Sequence, residues 1–432
     1  MPVAPVAPVA PATQPPKARH LRLSDVRGAA RLAITGTQGV SRVVEGVHAS
    51  VLRTLGLPVR IAPDGGTTGL TGFVYGSVRR VTGWVGNGLD ATLAQLQSLA
   101  KDPQAPSTPR RDALLAALNG VLGDQLAATD NPLATPMSLR FQNQPLDCAA
   151  LQGNPAVTGK VVLMVHGLCM NDLQWLSGST GASHASELAA TLGYTPVHLR
   201  YNSGRHISDN GRELALHLQQ LVAQWPVQVV EIAVVAHSMG GLVVRSACQQ
   251  AQASNAPGNW LALLKKIAFL GTPHHGAPLE RAGHGIDLLL GASRWSAPLA
   301  KLGQVRSAGI TDLRHGHLLA QDWTSQGRFD AAPATRTPVP LPPGVQCFAL
   351  AASTSAPGSS RSHQLRDHWV GDGLVPLASA LGQHPDASLQ LAFAPENQAI
   401  VHEMGHLQLL TDGRVTQRLL AWFDAVDQPK AY

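Results

Sequence analysis

The sequence has no uncharged apolar run that approaches the roughly 18 residues a membrane-spanning helix needs, so no span is expected. It is poor in charge, with 14% of residues charged against 44% hydrophobic. That balance excludes a disordered polyelectrolyte and predicts a globular chain with a sizeable core. Cysteine is scarce: Cys148, Cys169, Cys248 and Cys347 are scattered through 432 residues without metal-type spacing. They form no disulfide framework, and three lie in apolar stretches as small core residues. Such usage fits a reducing, cytoplasmic compartment. The first twelve residues carry a proline at every third step and lack the positive segment of a secretory leader. Residues 1–20 therefore read as a polyproline-like tail. There is no internal repeat.

What charge there is lies unevenly. The formal net charge is +6, and residues 1–130 hold 13 Lys/Arg against 8 Asp/Glu, leaving 20 against 19 for the rest. No long basic stripe appears, so nucleic acid is not an expected partner. Between 21 and 130 the apolar spacing is helical. Val40, Val43, Val44, Val47 and Val51 share one face, as do Val78, Val81, Val85, Leu89, Leu93 and Leu96. The expectation is a helical N-terminal region whose faces pack on protein. Arg22, Arg27, Arg31 and Arg42 leave peripheral contact with an anionic membrane as the competing expectation.

Past Pro136 the rhythm changes, and 131–432 is expected to form one large domain. β-rich runs at Lys160–His166, Tyr194–Tyr201, Val229–Ala236, Ile267–Leu270, Cys347–Ala351 and Ser388–Phe393 alternate with helical segments such as Gly211–Gln224 and Gly241–Ala251. This alternation predicts an α/β fold with a mainly parallel sheet covered on both faces. Continuous apolar strands such as VVLMV suit burial from both sides. The stretch from about 277 to 344 lacks the rhythm and is expected to be a cap insertion.

The chemistry concentrates at Val234–Gly241, VVAHSMGG, an apolar strand running into a helix. A nucleophilic serine must stand on a sharp turn, where small neighbours relieve crowding; this is the setting of the G-x-S-x-G elbow, with Ala236 in place of the first glycine. Ser238 is the candidate nucleophile, and the helix that follows offers N–H groups to a developing oxyanion. The strand Val161–Val165 ends in His166–Gly167–Leu168. The oxyanion donors expected of such a fold are the amides of Leu168 and Met239. Further on come Gly371–Asp372–Gly373 and Gly405–His406. The order Ser238, Asp372, His406 supplies nucleophile, acid and base in the sequence this fold uses. Asp367 competes for the acid but lacks flanking glycines. Met170, Trp175 and His237 are candidate pocket residues.

These segments (VHGL, AHSMGG, LGTPHHG at 270–276, GDGLVP and GHLQLL) resemble those of bacterial α/β-hydrolase lipases and esterases, including the GPI inositol-deacylase-like group. The resemblance spans roughly residues 135–425. It implies ester hydrolysis through an acyl-enzyme, a small-molecule or lipid ester as substrate, and no cofactor or metal. It implies a structural role first for His274 and His275, and nothing about the N-terminal region. An acyltransferase or amidase would use the same triad. A catalytically silent, membrane-associated scaffold is a further alternative. His402–Glu403–Met404–Gly405–His406 also matches the zinc-peptidase pattern H-E-x-x-H. That pattern needs a helix, which the internal glycine disfavours, and no His or Glu follows His406 as third ligand.

Overall fold

The structure, a computed structural model, describes residues 22–37, 90, 107–176, 182–254, 259–277, 307–324, 336–357 and 371–425. The tail, the valine- and leucine-lined faces expected at 40–51 and 78–96, Arg42, Asp367 and most of the expected cap lie outside them. The chain divides into two compact units, Met1–Asp112 and Ala113–Tyr432. None of the helices among the described residues is long and apolar enough to cross a membrane.

The described part of the first unit contains helix α1, residues 23–37. Arg27 and Arg31 both grip one carboxylate: Arg27 Nε lies 2.7 Å from Asp90 Oδ1 and Arg31 Nε 2.6 Å from the same oxygen. The hydrogen bonds from Arg27, then Arg31, hold the Asp90 carboxyl well below its usual range. Two arginines of the expected basic face are thereby committed to an acid within the unit. Arg111 holds Asp25 in the same way, Nε to Oδ2 at 2.6 Å.

Helix α2, Pro109–Ala128, runs across the division. Its second-unit portion buries Ala117, Val121 and Leu126. This unit carries the sheet, formed by β1 (Ser138–Phe141), β2 (Gln144–Pro145), β3 (Lys160–Val165), β4 (Thr195–Arg200), β5 (Glu231–His237), β6 (Leu264–Leu270), β7 (Gln346–Ser353) and β8 (Gln398–His402). Their order is β2-β1-β4-β3-β5-β6-β7-β8. The β1–β2 hairpin and its pairing to β4 are antiparallel, and every pairing from β4 to β8 is parallel. The unit's helices among the described residues are α3 (His184–Leu192), α4 (Ile207–Gln224), α5 (Met239–Ser254), α6 (Ala308–His315), the single turn α7 (Leu377–Ala380) and α8 (Gly413–Asp424). α3 packs with α8, and α4 with α5.

The strands form where the chain is continuously apolar. Val161–Val165 and Ile232–Ala236 are buried throughout, as strands covered on both faces must be. α4 buries Leu214, Leu218 and Leu221 at helical spacing and leaves Leu216 in solvent. Most of the expected strands form, and their ends shift by a few residues. Ser388–Phe393 is a correction: it is not a strand. Leu391 and Phe393 are buried, yet their amides donate to Gly382 O and Leu391 O within local turns. The ladder place beside β7 goes to Gln398–His402, a half-exposed edge strand whose apolar run is only the three residues Ala399, Ile400 and Val401.

The strand order places the site. The chain passes from β3 to β4 on one side, then returns past β3 to β5 on the other. At such a reversal the loops leaving neighbouring strands diverge, opening a crevice at the carboxyl ends. His166–Gly167–Leu168 leaves β3 there, and Ser238 leaves β5. This mainly parallel, helix-covered sheet is the α/β-hydrolase fold.

Candidate active site

Ser238 stands between the last residue of β5 and the first of α5 with φ +55°, a left-handed conformation that costs a side-chain-bearing residue about 1 kcal/mol or more. Two backbone bonds hold the turn: Ser238 N–H donates to Leu270 O at 2.9 Å, and Gly241 N–H to Ser238 O at 3.1 Å. Close approach of the β3 loop depends on Gly167, where a Cβ would sit 2.9 Å from Ser238 Cβ.

Asp372 and His406, the candidate acid and base, arrive on two separate loops. Asp372 Oδ1 accepts from the amides of Leu374 (3.0 Å) and Val375 (2.9 Å), which fixes the carboxylate. Its Oδ2 accepts from His406 Nδ1 at 2.7 Å, and the His406 amide donates to Asp372 O at 3.0 Å. With Nδ1 carrying the proton, Nε2 keeps its lone pair. That nitrogen is buried and has no hydrogen-bond partner among the described residues. His406 opens a 3-10 turn, His406–Leu410, after β8. The turn is held by His184 at the start of α3: Nε2 donates to Leu409 O at 2.9 Å, and Nδ1 accepts from Thr416 Oγ1 at 2.7 Å. Below it, His237 Nε2 donates to His406 O at 3.0 Å, the two rings 4.6 Å apart. Burial keeps His184 and His237 neutral by pushing their pKa down.

Gly271, in the LGTPHHG run, closes this corner. Its φ is +55°, and a Cβ there would lie 3.1 Å from Asp372 Oδ2 and 3.2 Å from His406 Nδ1. A strand ending on Gly-Thr-Pro was the sequence signal for it. Nothing local signalled Tyr201 or Ser203, which brace the β3 loop from beyond β4. Tyr201 Oη donates to His166 O at 2.8 Å with its ring 4.3 Å from the imidazole, and Cys169 N–H donates to Ser203 Oγ at 3.0 Å. Burial pushes His166 down to about 4. Its Nδ1 donates to Gly167 O at 2.9 Å.

The Leu168 amide donates to no group among the described residues. Met239, as first residue of α5, has no intrahelical acceptor for its own amide. Both side chains are buried, as are Met170, Trp175 and His237. Trp175 stands edge-on to His237 and His184, at 6.4 and 6.3 Å. His274 and His275 point to structure: Arg245 and Arg336 approach their ring nitrogens, and both arginines donate to backbone carbonyls. The H-E-x-x-H pattern does not lie on a helix. His402 ends β8, Glu403 turns the chain at φ +53°, and His406 starts the 3-10 turn. Two histidines one helical turn apart, the basis of that zinc site, therefore do not arise.

A family model described as "Domain of unknown function (DUF7379)" matches residues 132–308. No curated protein matches the sequence. Among solved structures, the mature Bacillus licheniformis lipase BlEst2 is 19% identical over 68% of this chain and 100% of its own, with a TM-score of 0.40. The Pyrococcus furiosus esterase PF2001 is 13% identical over 62% of this chain and 83% of its own, TM-score 0.37. Phospholipase PlaB from Legionella pneumophila is 16% identical over 51% of this chain and 45% of its own, TM-score 0.33.

Proposed function

We propose that this chain is a serine hydrolase that cleaves carboxylic esters through an acyl-enzyme, with Ser238, His406 and Asp372 as its triad. The observations that carry the reading are the buried His406–Asp372 pair, in which His406 Nε2 has no hydrogen-bond partner among the described residues, and a strained serine at a strand-to-helix elbow. Ser238 Oγ attacks the ester carbonyl carbon while its proton passes to His406 Nε2. Asp372 holds the ring and stabilises the imidazolium. The carbonyl oxygen, now negative, is received by the Leu168 and Met239 amides, each such donor being worth roughly 10²–10³ in rate. The imidazolium returns its proton to the departing alkoxide, which leaves as alcohol. Water then attacks the acyl carbon as His406 takes its proton, and that proton restores Ser238 as the acid departs. No step calls for a cofactor. The insertion at 277–344 is assigned as a cap over the pocket, and 131–432 as the catalytic part of the chain.

The test is covalent labelling. A fluorophosphonate probe is expected to label the protein, and Ser238→Ala to abolish both labelling and turnover of short-chain chromogenic esters. Undiminished labelling of that variant refutes the assignment.

A further inference from the structure

α2 precedes the first strand of the sheet and supplies none of Ser238, Asp372 and His406. Its second-unit portion nevertheless packs against the loop that carries the Leu168 amide. Gly120 is the point of contact. A Cβ there would run into Cys169 Sγ and lie 2.9 Å from Cys169 Cα and 3.0 Å from its amide nitrogen. Non-bonded carbons settle at about 3.5–4.0 Å, so only a glycine lets helix and loop meet this closely.

Cys169 directly follows Leu168, is buried, and has φ +59°. A side-chain-bearing residue holds that left-handed conformation only where its surroundings over-determine it. Ser203 Oγ, beyond β4, accepts the Cys169 N–H at 3.0 Å, and Gly120 backs the same residue from the helix. The helix is in turn tied to that neighbourhood. Asn202 Nδ2 donates to Gly123 O at 2.8 Å, Ser307 Oγ to Gly120 O at 2.7 Å, and the Ala308 amide to Asp124 Oδ2 at 3.1 Å. The segment after β4 also comes in against backbone, since a Cβ on Gly204 would lie 2.7 Å from Gly123 N. A helix that only covered the core would meet it through side chains, as Ala117, Val121 and Leu126 do. Residues 119–124 instead meet the β3 loop, the β4 loop and the start of α6 through backbone and hydrogen bonds. An oxyanion donor has to stand roughly 2.7–3.1 Å from the charged oxygen, so a few tenths of an ångström in that loop matter.

We infer that α2 is a positioning element of the active site: Gly120 seats Cys169 and thereby sets the Leu168 amide where a developing oxyanion needs it. The inference rests on the ester-hydrolase reading, and it extends the catalytic part of the chain, there assigned to 131–432, back to include 113–128.

Ester kinetics on full-length Gly120→Ala tests it. The new methyl group clears the Cys169 backbone only if the loop moves by about half an ångström or more. kcat is expected to fall by roughly ten- to a hundredfold, with KM changed by less than about twofold. A trifluoromethyl ketone, whose hemiketal with Ser238 presents an oxyanion to the same amides, is expected to inhibit more weakly by a similar factor. Leu126→Ala is the control for packing: it lies six residues further along the helix, about 9 Å away, and opens a cavity in the core. Its melting temperature is expected to drop and its kcat to match the parent. Gly120→Ala is expected to cost less when Cys169→Ala has removed the sulfur, because the two changes share one contact. Circular dichroism melting shows whether each variant is folded. If Gly120→Ala is not, the double variant, measured against Cys169→Ala alone, decides the question through the remaining contact with the loop backbone. Parent-like kcat in the deciding variant, or an equal loss in Leu126→Ala, overturns the inference and leaves the hydrolase reading standing. A parent protein that fluorophosphonate does not label overturns both.

Discussion

At the residue scale, the candidate site depends on a few atoms whose positions are over-determined. Asp372 spends one oxygen on two backbone amides and the other on His406 Nδ1. Asp372→Asn keeps the shape but allows the wrong imidazole tautomer, and is expected to lower kcat by about 10⁴. Asp367→Asn is expected to change it little; steady-state kinetics on the two variants distinguishes them, and a crippled Asp367→Asn moves the acid. Gly271 makes a sharper point. An alanine there meets a left-handed φ and, at 2.7 Å, the Leu409 side chain, besides crowding the Asp372–His406 pair. Gly271→Ala is expected to cost about 1 kcal/mol or more in stability. It should also lower kcat by roughly 10²-fold, the effect of displacing a catalytic group by about 1 Å. Unchanged kinetics in a melted-down variant would show that the glycine serves folding alone.

At the element scale, the question is what keeps His406 in place, since its turn follows a short edge strand. The first turn of α3 supplies the answer through His184, which spans from Leu409 O to Thr416 Oγ1 and so ties three elements together. His184→Phe preserves bulk but strands a buried carbonyl, at an expected cost of about 1–3 kcal/mol. Because Leu409 lies in the same turn as His406, kcat is expected to fall while KM changes little. Chemical denaturation and ester kinetics on one preparation separate the two effects. A stability loss with untouched kcat would confine His184 to packing.

At the scale of the whole molecule, buried neutral histidines set the acid limit. Burial lowers His166, His198 and His275 to about 4 from an ordinary value of 6.5, and lowers His184, His237 and His274 as well. Between those pH values the unfolded chain binds protons that the folded chain refuses. Stability therefore falls as pH falls from about 6.5 to 4, by up to about 1.4 kcal/mol per pH unit for each such histidine. Urea titrations at intervals from pH 7 to pH 4 should show a steadily falling midpoint. A flat profile over that range contradicts the burial of these rings in a neutral state.

Composition and periodicity alone determined the alternation of strands and helices, because a doubly covered strand must be apolar throughout and an amphipathic helix must repeat at 3.6 residues. They also marked Ser238, Asp372 and His406, since glycine-flanked turns after strands leave a local trace. The tertiary structure decided what has no local trace. Ser388–Phe393 reads as a strand, yet it buries Leu391 and Phe393 through turns while the half-polar Gln398–His402 takes the ladder. His402 and His406 match a zinc spacing, yet the chain between them is extended and then bent, which only the competition for the sheet edge resolves. Arg27 and Arg31 read as a basic face until Asp90, distant in sequence, takes both. In each case the deciding partner lies far along the chain, and a pattern confined to one window cannot contain it.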